Sequence, residues 1–187
     1  MKLNIYIISH PIIKIFSHNI KKNHLKSEST QDDSESKIML FIIYEILRKL
    51  IYITNIYINK LDYIKHISVM DYQQKNYIIT NMVKNFHLLT EIYNKFPHTY
   101  ITNCNNNENY TNQIHQYDIN DKTNILIVEN FLTEDTIIKT IQNIQHDMKI
   151  KEKQITIACI TCTNQILEKI SQYYNEINLY TTKIIYN

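Results

Sequence analysis

Residues 125–160, ILIVENFLTEDTIIKTIQNIQHDMKIKEKQITIACI, contain the pattern that decides the fold. The uninterrupted apolar run over residues 125–128 is typical of a strand that is buried on both faces of a parallel sheet. Apolar side chains then recur at helical spacing from Ile137 to Met148, and a second apolar strand is predicted over residues 155–160. The order strand, helix, strand predicts a βαβ unit.

The same alternation continues towards the C-terminal end of the sequence. A helix is predicted around Leu167, Ile170 and Tyr174, and a last strand over residues 177–181. Strands that alternate with helices favour right-handed crossovers and a parallel sheet. We therefore expect an α/β fold, with a mostly parallel sheet flanked by helices, as one domain over residues 1–187.

Shorter elements are predicted in the N-terminal half. Residues 1–16, MKLNIYIISHPIIKIF, resemble a signal peptide, but His10, Pro11 and Lys14 interrupt the apolar run and no small-residue cleavage site follows. We expect a first strand there. A helix is then expected from Ile38, and its predicted apolar face consists of Phe41, Tyr44, Leu47 and Ile51.

Strands and two loops complete the expected organisation. Residues 53–69 are strand-like with a turn at Asn59-Lys60, and a later helix is expected to end before Pro97. Residues 27–37, SESTQDDSESK, are acidic and lack apolar side chains, so they predict an exposed loop. The asparagine-rich residues 102–113 predict a second one.

Composition excludes several classes of site. The chain contains no glycine, so the standard Walker loop, dinucleotide fingerprint, EF-hand loop and nucleophile elbow are all absent. Isoleucine, lysine, tyrosine and asparagine dominate, and their codons are rich in A and T. This bias indicates an AT-rich genome, and we expect the protein in a plastid stroma or otherwise in the cytoplasm.

Charge and hydropathy argue against two kinds of partner. The 20 basic and 18 acidic residues give a net charge of +2 without a basic stripe, so nucleic-acid binding is not expected. The most apolar segment, residues 39–53, is interrupted by Glu45, Arg48 and Lys49, so no membrane span is expected either.

Three cysteines leave one redox alternative open. An odd count argues against a disulfide framework, and Cys104 has no close partner in sequence. Cys159-Ile-Thr-Cys162 has the spacing of a redox pair or of half a zinc site, with no second pair to complete it. Because the pair lies in an apolar strand, we expect buried thiols.

The junction over residues 128–136 follows the central strand, where α/β proteins bind ligands. Thr133 is expected to cap the next helix, with Glu134 and Asp135 in its first turn. A phosphate bound there would meet two carboxylates, each costing roughly 3 kcal/mol at an effective dielectric near 20. The junction is therefore expected to stabilise the helix rather than to bind an anion.

Five short segments follow one another along the chain. They are His10-Pro-Ile-Ile-Lys14, Glu45 with Leu50 and Tyr52, Phe96-Pro97 before Tyr100-Ile101, Leu126-Ile-Val-Glu129 through Leu132, and Leu179-Tyr-Thr181 with Ile184. In this order and spacing they resemble the uracil phosphoribosyltransferase family, glycosyltransferases of pyrimidine salvage that make UMP and pyrophosphate from uracil and phosphoribosyl pyrophosphate. The resemblance implies a phosphoribosyltransferase-like fold and a homodimer.

The resemblance also assigns substrate-binding positions. The family's ribose-binding aspartate falls on Glu129, and its pyrophosphate-contacting segment on residues 80–85, with Val83 in place of arginine. The phosphate loop Ala-Thr-Gly-Gly-Ser falls on Thr133, Glu134, Asp135, Thr136 and Ile137. The uracil-contacting stretch would follow Asn187, so the sequence looks like a C-terminally truncated homologue.

These departures favour a homologue that has lost catalysis and serves as a structural or interaction protein. No catalytic residue and no metal site of the protein's own is expected, and Mg²⁺ is implied only if phosphoribosyl pyrophosphate binds. The alternative is a still-active uracil phosphoribosyltransferase with an atypical phosphate loop. A redox protein that uses Cys159 and Cys162 is a third possibility.

Overall fold

The structure, a computed structural model, describes residues 3–22, 28–96, 99–103, 119–133 and 135–186. Its elements are β1 (Asn4–Ile7), α1 (Pro11–Lys22), α2 (Glu28–Leu50), β2 (Ile53–Asn59), β3 (Ile64–Met70), β4 (Asn76–Thr80), α3 (Phe86–Lys95), β5 (Thr99–Asn103), β6 (Asn124–Leu132), α4 (Thr136–Met148), β7 (Ile155–Thr163), α5 (Asn164–Tyr173), β8 (Asn178–Thr181) and β9 (Lys183–Ile185). A short 3₁₀ turn, Glu152–Gln154, precedes β7.

Seven of these strands form one parallel sheet. Their order is β1-β8-β7-β6-β4-β5, and β9 pairs with the C-terminal part of β7. Every described pairing in this sheet is parallel. The fold is therefore α/β, with a mostly parallel sheet flanked by helices, as the sequence predicts.

Alternate residues of the central strands face two separate apolar layers. Ile125 and Ile127 of β6 pack with α4 and α5, whereas Leu126 and Val128 pack with α1, α2 and α3. All four side chains are buried. A strand covered on both faces needs apolar residues at every position, which explains its uninterrupted run.

Helix α2 corrects the predicted loop over residues 27–37. It begins at Glu28 and continues to Leu50, so residues 28–37 are helical although they lack apolar side chains. Residue 27 lies outside the described part. Packing of the C-terminal turns holds the helix, whose buried apolar residues are Ile38, Met39, Ile42, Ile43, Ile46 and Leu47.

The predicted apolar face of this helix is also partly wrong. Leu47 is buried, and Phe41 and Ile51 are partly buried, but Tyr44 is 55% exposed. The true stripe is rotated towards Ile42 and Ile43. Isoleucine is so frequent in this sequence that apolar residues at helical spacing do not fix one face.

Several N-terminal predictions hold. The first strand is confirmed as β1, although α1 begins as early as Pro11. β2 and β3 form an antiparallel hairpin whose turn begins at Lys60, and α3 ends at Lys95, before Pro97. Of the second predicted loop, residues 102–103 belong to β5 and residues 104–113 lie outside the described residues.

The β2–β3 hairpin differs from the sheet in its surroundings. Every residue of β2 is exposed, and large apolar side chains lie on both strands. Large apolar side chains that are more than half exposed lie on the strands, in the turn between them and directly before β2: Ile53, Tyr57, Ile64, Leu61, Tyr63 and Tyr52. A two-stranded hairpin of this kind is marginally stable unless something covers it.

Helix α4 ends in a backbone conformation that usually favours glycine. Lys149 has φ 53° and ψ 37°, and its N–H donates to the Gln145 carbonyl. Within the described residues it has the only positive φ. A lysine, rather than the asparagine that the composition would suggest, takes the left-handed position at the end of this helix.

No helix in the described part of the chain is long and apolar enough to cross a membrane. The interrupted segment over residues 39–53 instead forms the C-terminal half of α2 and the start of β2.

Candidate functional site at the sheet switch point

The direction of the chain through the sheet reverses between β4 and β6. From β4 the chain passes through α3 to β5 on one side, and from β6 it passes through α4 to β7 on the other. The residues of α3 and α4 belong to opposite apolar layers. Links that diverge in this way leave a crevice beyond the carboxyl ends of the strands, where open α/β sheets bind ligands.

Strand β6 is longer than predicted. Its ladder with β4 stops at the pair Thr80–Val128, but its ladder with β7 continues through Leu132 and Cys162. The junction predicted after Val128 is therefore wrong, because Glu129 lies within the strand and Leu132, fully buried, anchors its end. Residues 129–132 extend past the end of β4, beside the link that leaves it.

A buried hydrogen-bond chain fixes the start of that link. The Thr80 hydroxyl donates to the Val128 carbonyl at 2.9 Å, and Asn85 Nδ2 donates to the Thr80 hydroxyl oxygen at 2.8 Å. Thr80 and Asn85 are 1% and 4% exposed. Burial strengthens such bonds and raises the cost of losing them, so the link is held rigidly against β6.

Three consecutive backbone amides of this link already have acceptors. The Val83 and Lys84 N–H groups both donate to Asn81 Oδ1 at 3.1 Å, and the Met82 N–H donates to Asn103 Oδ1 at 3.1 Å. These amides belong to the segment that the family resemblance aligns with the pyrophosphate-contacting residues. Side-chain amide oxygens of the chain itself occupy the donors that an anion would need.

Glu35 reaches the same region from α2. The Asn130 Nδ2 donates to Glu35 Oε2 at 3.0 Å, and Glu35 is only 6% exposed. Asn130 Oδ1 is buried and finds no hydrogen-bond partner among the described residues. The sequence did not predict this contact, because Glu35 falls in the predicted loop. Its position three residues before Ile38, about one helical turn, was the signal that it could belong to the helix.

Glu129 lies on the opposite side of β6 from this contact. It is half-buried and pairs in register with Cys159 of β7. A hydrogen bond with Cys162, burial and then the negative charges of Cys162 and Glu129 raise the pKa of Cys159 well above its usual value. The Cys159 thiol therefore remains protonated beside the carboxylate.

The two cysteines are buried, as predicted. Cys159 and Cys162 are 0% and 1% exposed, and both are free thiols. The hydrogen bond from Cys159 lowers the pKa of Cys162, against the opposing effect of burial. Cys104 lies outside the described residues.

The link between β6 and α4 differs from the prediction. The helix begins at Thr136 with Asp135 as its N-cap residue, so exposed Thr133 does not cap it. The Asp135 carboxylate makes no capping bond but pairs with Lys169 of α5, at 2.7 and 2.9 Å from its two oxygens. Glu134 lies outside the described residues.

This ion pair weakens one electrostatic expectation. Because Lys169 offsets the charge of Asp135, the repulsion that Asp135 exerts on a bound phosphate is smaller than the sequence alone predicts. The Lys169 and Asp135 side chains are 50% and 59% exposed, so solvent screens the remaining repulsion.

The structure thus brings the aligned positions to one edge but divides them between two faces. Glu129 and Asp135 lie towards α4 and α5, whereas the turn over residues 81–85 and Asn130 lie towards α2 and α3. No group of three or more His, Cys, Asp or Glu side chains in the described ranges could hold a metal ion.

Comparison with known proteins gives a relative over nearly the full chain. The chain is 29% identical to the uracil phosphoribosyltransferase homolog of Pyropia yezoensis. The match covers 184 residues, which is 98% of this chain and 89% of the relative. No protein-family profile matches the chain.

One solved structure supports the fold. The AQ2163 protein of Aquifex aeolicus aligns with a TM-score of 0.68 at 10% identity, covering 98% of this chain and 88% of that protein. A purine phosphoribosyltransferase from Pyrococcus horikoshii aligns with a TM-score of 0.36 at 12% identity, over 81% and 87% of the two chains. The first similarity is one of overall fold, and the second is too low to indicate a shared fold.

The match to the Pyropia relative includes the switch point. Because it spans 98% of the chain, the β4 link and the end of β6 both fall within the compared length. The similarity to that relative therefore extends over the whole region of the candidate site.

Proposed function

We propose that the protein is a diverged homologue of the uracil phosphoribosyltransferases that has lost the transfer of ribose phosphate to uracil. Its role is then structural or that of an interaction partner. The similarity to a relative with that name, over nearly the whole chain, supports the ancestry. The chemistry of the switch point supports the loss of activity.

The observation that carries this proposal is that backbone amides of the link after β4 already have acceptors within the chain. Three successive N–H groups donate to Asn81 and Asn103 within the chain, and Val83 stands where the resemblance expects an arginine. An incoming pyrophosphate must displace these acceptors and meets no guanidinium in return. Charge-assisted bonds are roughly twice as strong as neutral ones, so loss of the arginine removes a large part of the affinity.

The alternative, an active enzyme with an atypical phosphate loop, also has an observation in its favour. Glu129 retains a carboxylate at the position that the resemblance assigns to ribose binding, half-buried in the C-terminal half of β6. Glutamate is one methylene longer than aspartate but keeps the charge. Magnesium would then arrive with phosphoribosyl pyrophosphate rather than at a site of the protein's own.

Calorimetric titration with phosphoribosyl pyrophosphate and Mg²⁺ separates the two proposals. We expect no saturable heat and no UMP from labelled uracil, because the amides of residues 82–84 are already bonded to Asn81 and Asn103. Micromolar binding or UMP formation contradicts the proposal and favours the active enzyme.

A double variant tests the stated cause. Asn81→Ala with Asn103→Ala releases the amides of residues 82–84, so pyrophosphate affinity is expected to rise measurably above that of the native chain. Asn143→Ala, an exposed asparagine of α4, is the matched control and is expected to leave affinity unchanged. Equal affinity in all three proteins shows that occupied amides are not what excludes the ligand.

We also propose that the protein is a homodimer that covers the β2–β3 hairpin. Ile56, Ile58 and Val69 lie on one face of the hairpin and are exposed, so they form part of an apolar surface that monomers seldom leave open. Light scattering should give twice the chain mass for the native protein and the monomer mass for Ile56→Lys. Ile15→Lys, at an exposed position of α1, is the control and should remain dimeric. A monomeric native protein contradicts the proposal.

Residence in a plastid stroma is proposed on composition alone, since an AT-rich gene explains the glycine-free sequence. Immunolocalisation with an antibody against the whole chain tests it, and a signal confined to the cytoplasm contradicts it.

A further inference from the structure

A cavity lies at the β1 edge of the sheet, away from the switch point. It occupies about 640 Å³ between β1, the start of α1 and the C-terminal half of α2. β8 and β7 separate this edge from β6. The volume is within the range of about 300–1,000 Å³ that is typical of small-molecule sites.

One wall of the cavity carries a cation held by two aromatic rings. Lys49 Nζ lies 4.3 Å from the ring centre of Tyr6 and 5.1 Å from that of Tyr180. The two rings are stacked at 4.6 Å, and Lys49 also donates to the Tyr180 hydroxyl oxygen at 3.4 Å. These contacts orient the ammonium group but leave its positive charge in place.

The neighbouring cation is already neutralised. Arg48 pairs with Glu45 at 2.8 Å, whereas Lys49 has no carboxylate within 4.0 Å in the described part of the chain. The cavity therefore presents one uncompensated positive charge. Because the Tyr180 oxygen accepts from Lys49, its O–H is available to donate to an anion beside the ammonium.

The rest of the lining combines apolar side chains with polar and charged ones, which are Ser9, His10, Tyr44, Glu45 and Arg48. The segment from Ile5 to His10 forms one side, and an extended chain of that length spans at most about 18 Å. Ile13 and Phe41 lie across from it, and the His10 ring stacks on Phe41 at 5.9 Å. These apolar side chains offer a surface on which an apolar group extending from Lys49 can pack.

We propose that this cavity binds a small monocarboxylic acid with an apolar chain. The carboxylate contacts Lys49 Nζ and the Tyr180 hydroxyl, and the chain lies between β1 and α2. A single charge on the ligand matches the single uncompensated charge of the wall. A phosphate ester, which carries up to two charges, has no second cation to meet because Arg48 is bound to Glu45.

The test compares octanoate with octanamide, a neutral molecule of the same length, by calorimetric titration of the whole protein. Octanoate is expected to bind saturably and about tenfold or more tightly than octanamide, since a hydrogen-bonded charge contributes on this scale. Inorganic phosphate is expected not to displace octanoate. Displacement by phosphate, or equal binding of acid and amide, overturns the proposal.

Variants locate the binding. Lys49→Met keeps the length and removes the charge, so octanoate affinity should fall about tenfold while octanamide affinity stays the same. Lys139→Met, an exposed lysine on α4 at the opposite face of the sheet, should bind octanoate like the native chain. Tyr180→Phe should weaken octanoate alone.

Thermal unfolding of each variant confirms that it is folded before titration. Native affinity for octanoate in Lys49→Met, or an equal loss in Lys139→Met, overturns the assigned site. Because the cavity is separate from the switch point, neither result depends on whether phosphoribosyl pyrophosphate binds.

Discussion

The two links that leave the switch point are stabilised in different ways. After β4, the backbone amides of residues 82–84 donate to side chains of the chain itself, and a buried threonine and asparagine fix the turn. After β6, α4 starts without a capping side chain, and an exposed ion pair between Asp135 and Lys169 lies at its start. Equivalent topological positions therefore need not remain equally open to a ligand.

The β6 link depends on one buried anchor. Leu132→Ala removes a fully buried side chain at the end of the strand, and we expect a loss of about 3 kcal/mol in the free energy of unfolding. Urea unfolding measures it. The adjacent Phe131→Ala, 46% exposed, is the control and should cost far less; similar losses would show that Leu132 is not the anchor.

The β4 link should lose less when one acceptor is removed. Asn81→Ala releases the Val83 and Lys84 amides, and about 1 kcal/mol of stability should be lost. Amide exchange measured by NMR should speed up at these two positions and not at Met82. Asn103→Ala should give the reverse pattern, and exchange that does not change contradicts the bonds assigned to this link.

The smallest effect is expected at the ion pair. Asp135→Asn should change the free energy of unfolding by less than about 1 kcal/mol, because both partners are largely exposed. The difference from the native chain should vanish at high salt. A double-mutant cycle with Lys169→Gln measures the pair directly, and a coupling well above 1 kcal/mol would mean that the pair contributes more to this link than its exposure implies.

The sheet could be predicted from sequence because its strands are buried on both faces. Residues 125–128 and 155–160 have no polar alternation, and only a parallel sheet with helices on both sides gives such strands a place. The helix between them carries five apolar residues at helical spacing. Local pattern and final burial agree there, and the predicted α/β class is correct.

The start of α2 and the end of β6 could not be predicted in the same way. Glu28 begins a helix whose first turns lack apolar side chains, because packing from Ile38 onward holds it. Asn130 and Phe131 continue a strand because β7 pairs beside them. Both extensions depend on neighbours that are distant in sequence.

The site itself was located in part. The sequence predicts Glu129 directly after the central strand, whereas the structure places it within β6, which continues to Leu132. Asn81, Asn103 and Glu35 were missed, because a side chain that occupies its own backbone amides, or that reaches across from another helix, leaves no spacing pattern. Their contacts follow from the tertiary fold alone.

The left-handed backbone of Lys149 at the end of α4 affects the free energy of folding, and so does the absence of glycine from the chain. Lys149 accepts the strain of a positive φ, a conformation disfavoured by roughly 1–2 kcal/mol for residues other than glycine. A chain without glycine is stiffer when unfolded, because glycine gives up more conformational freedom on folding than any other residue. The entropy lost on folding is therefore reduced along the entire backbone, while the strain is confined, within the described residues, to one helix end.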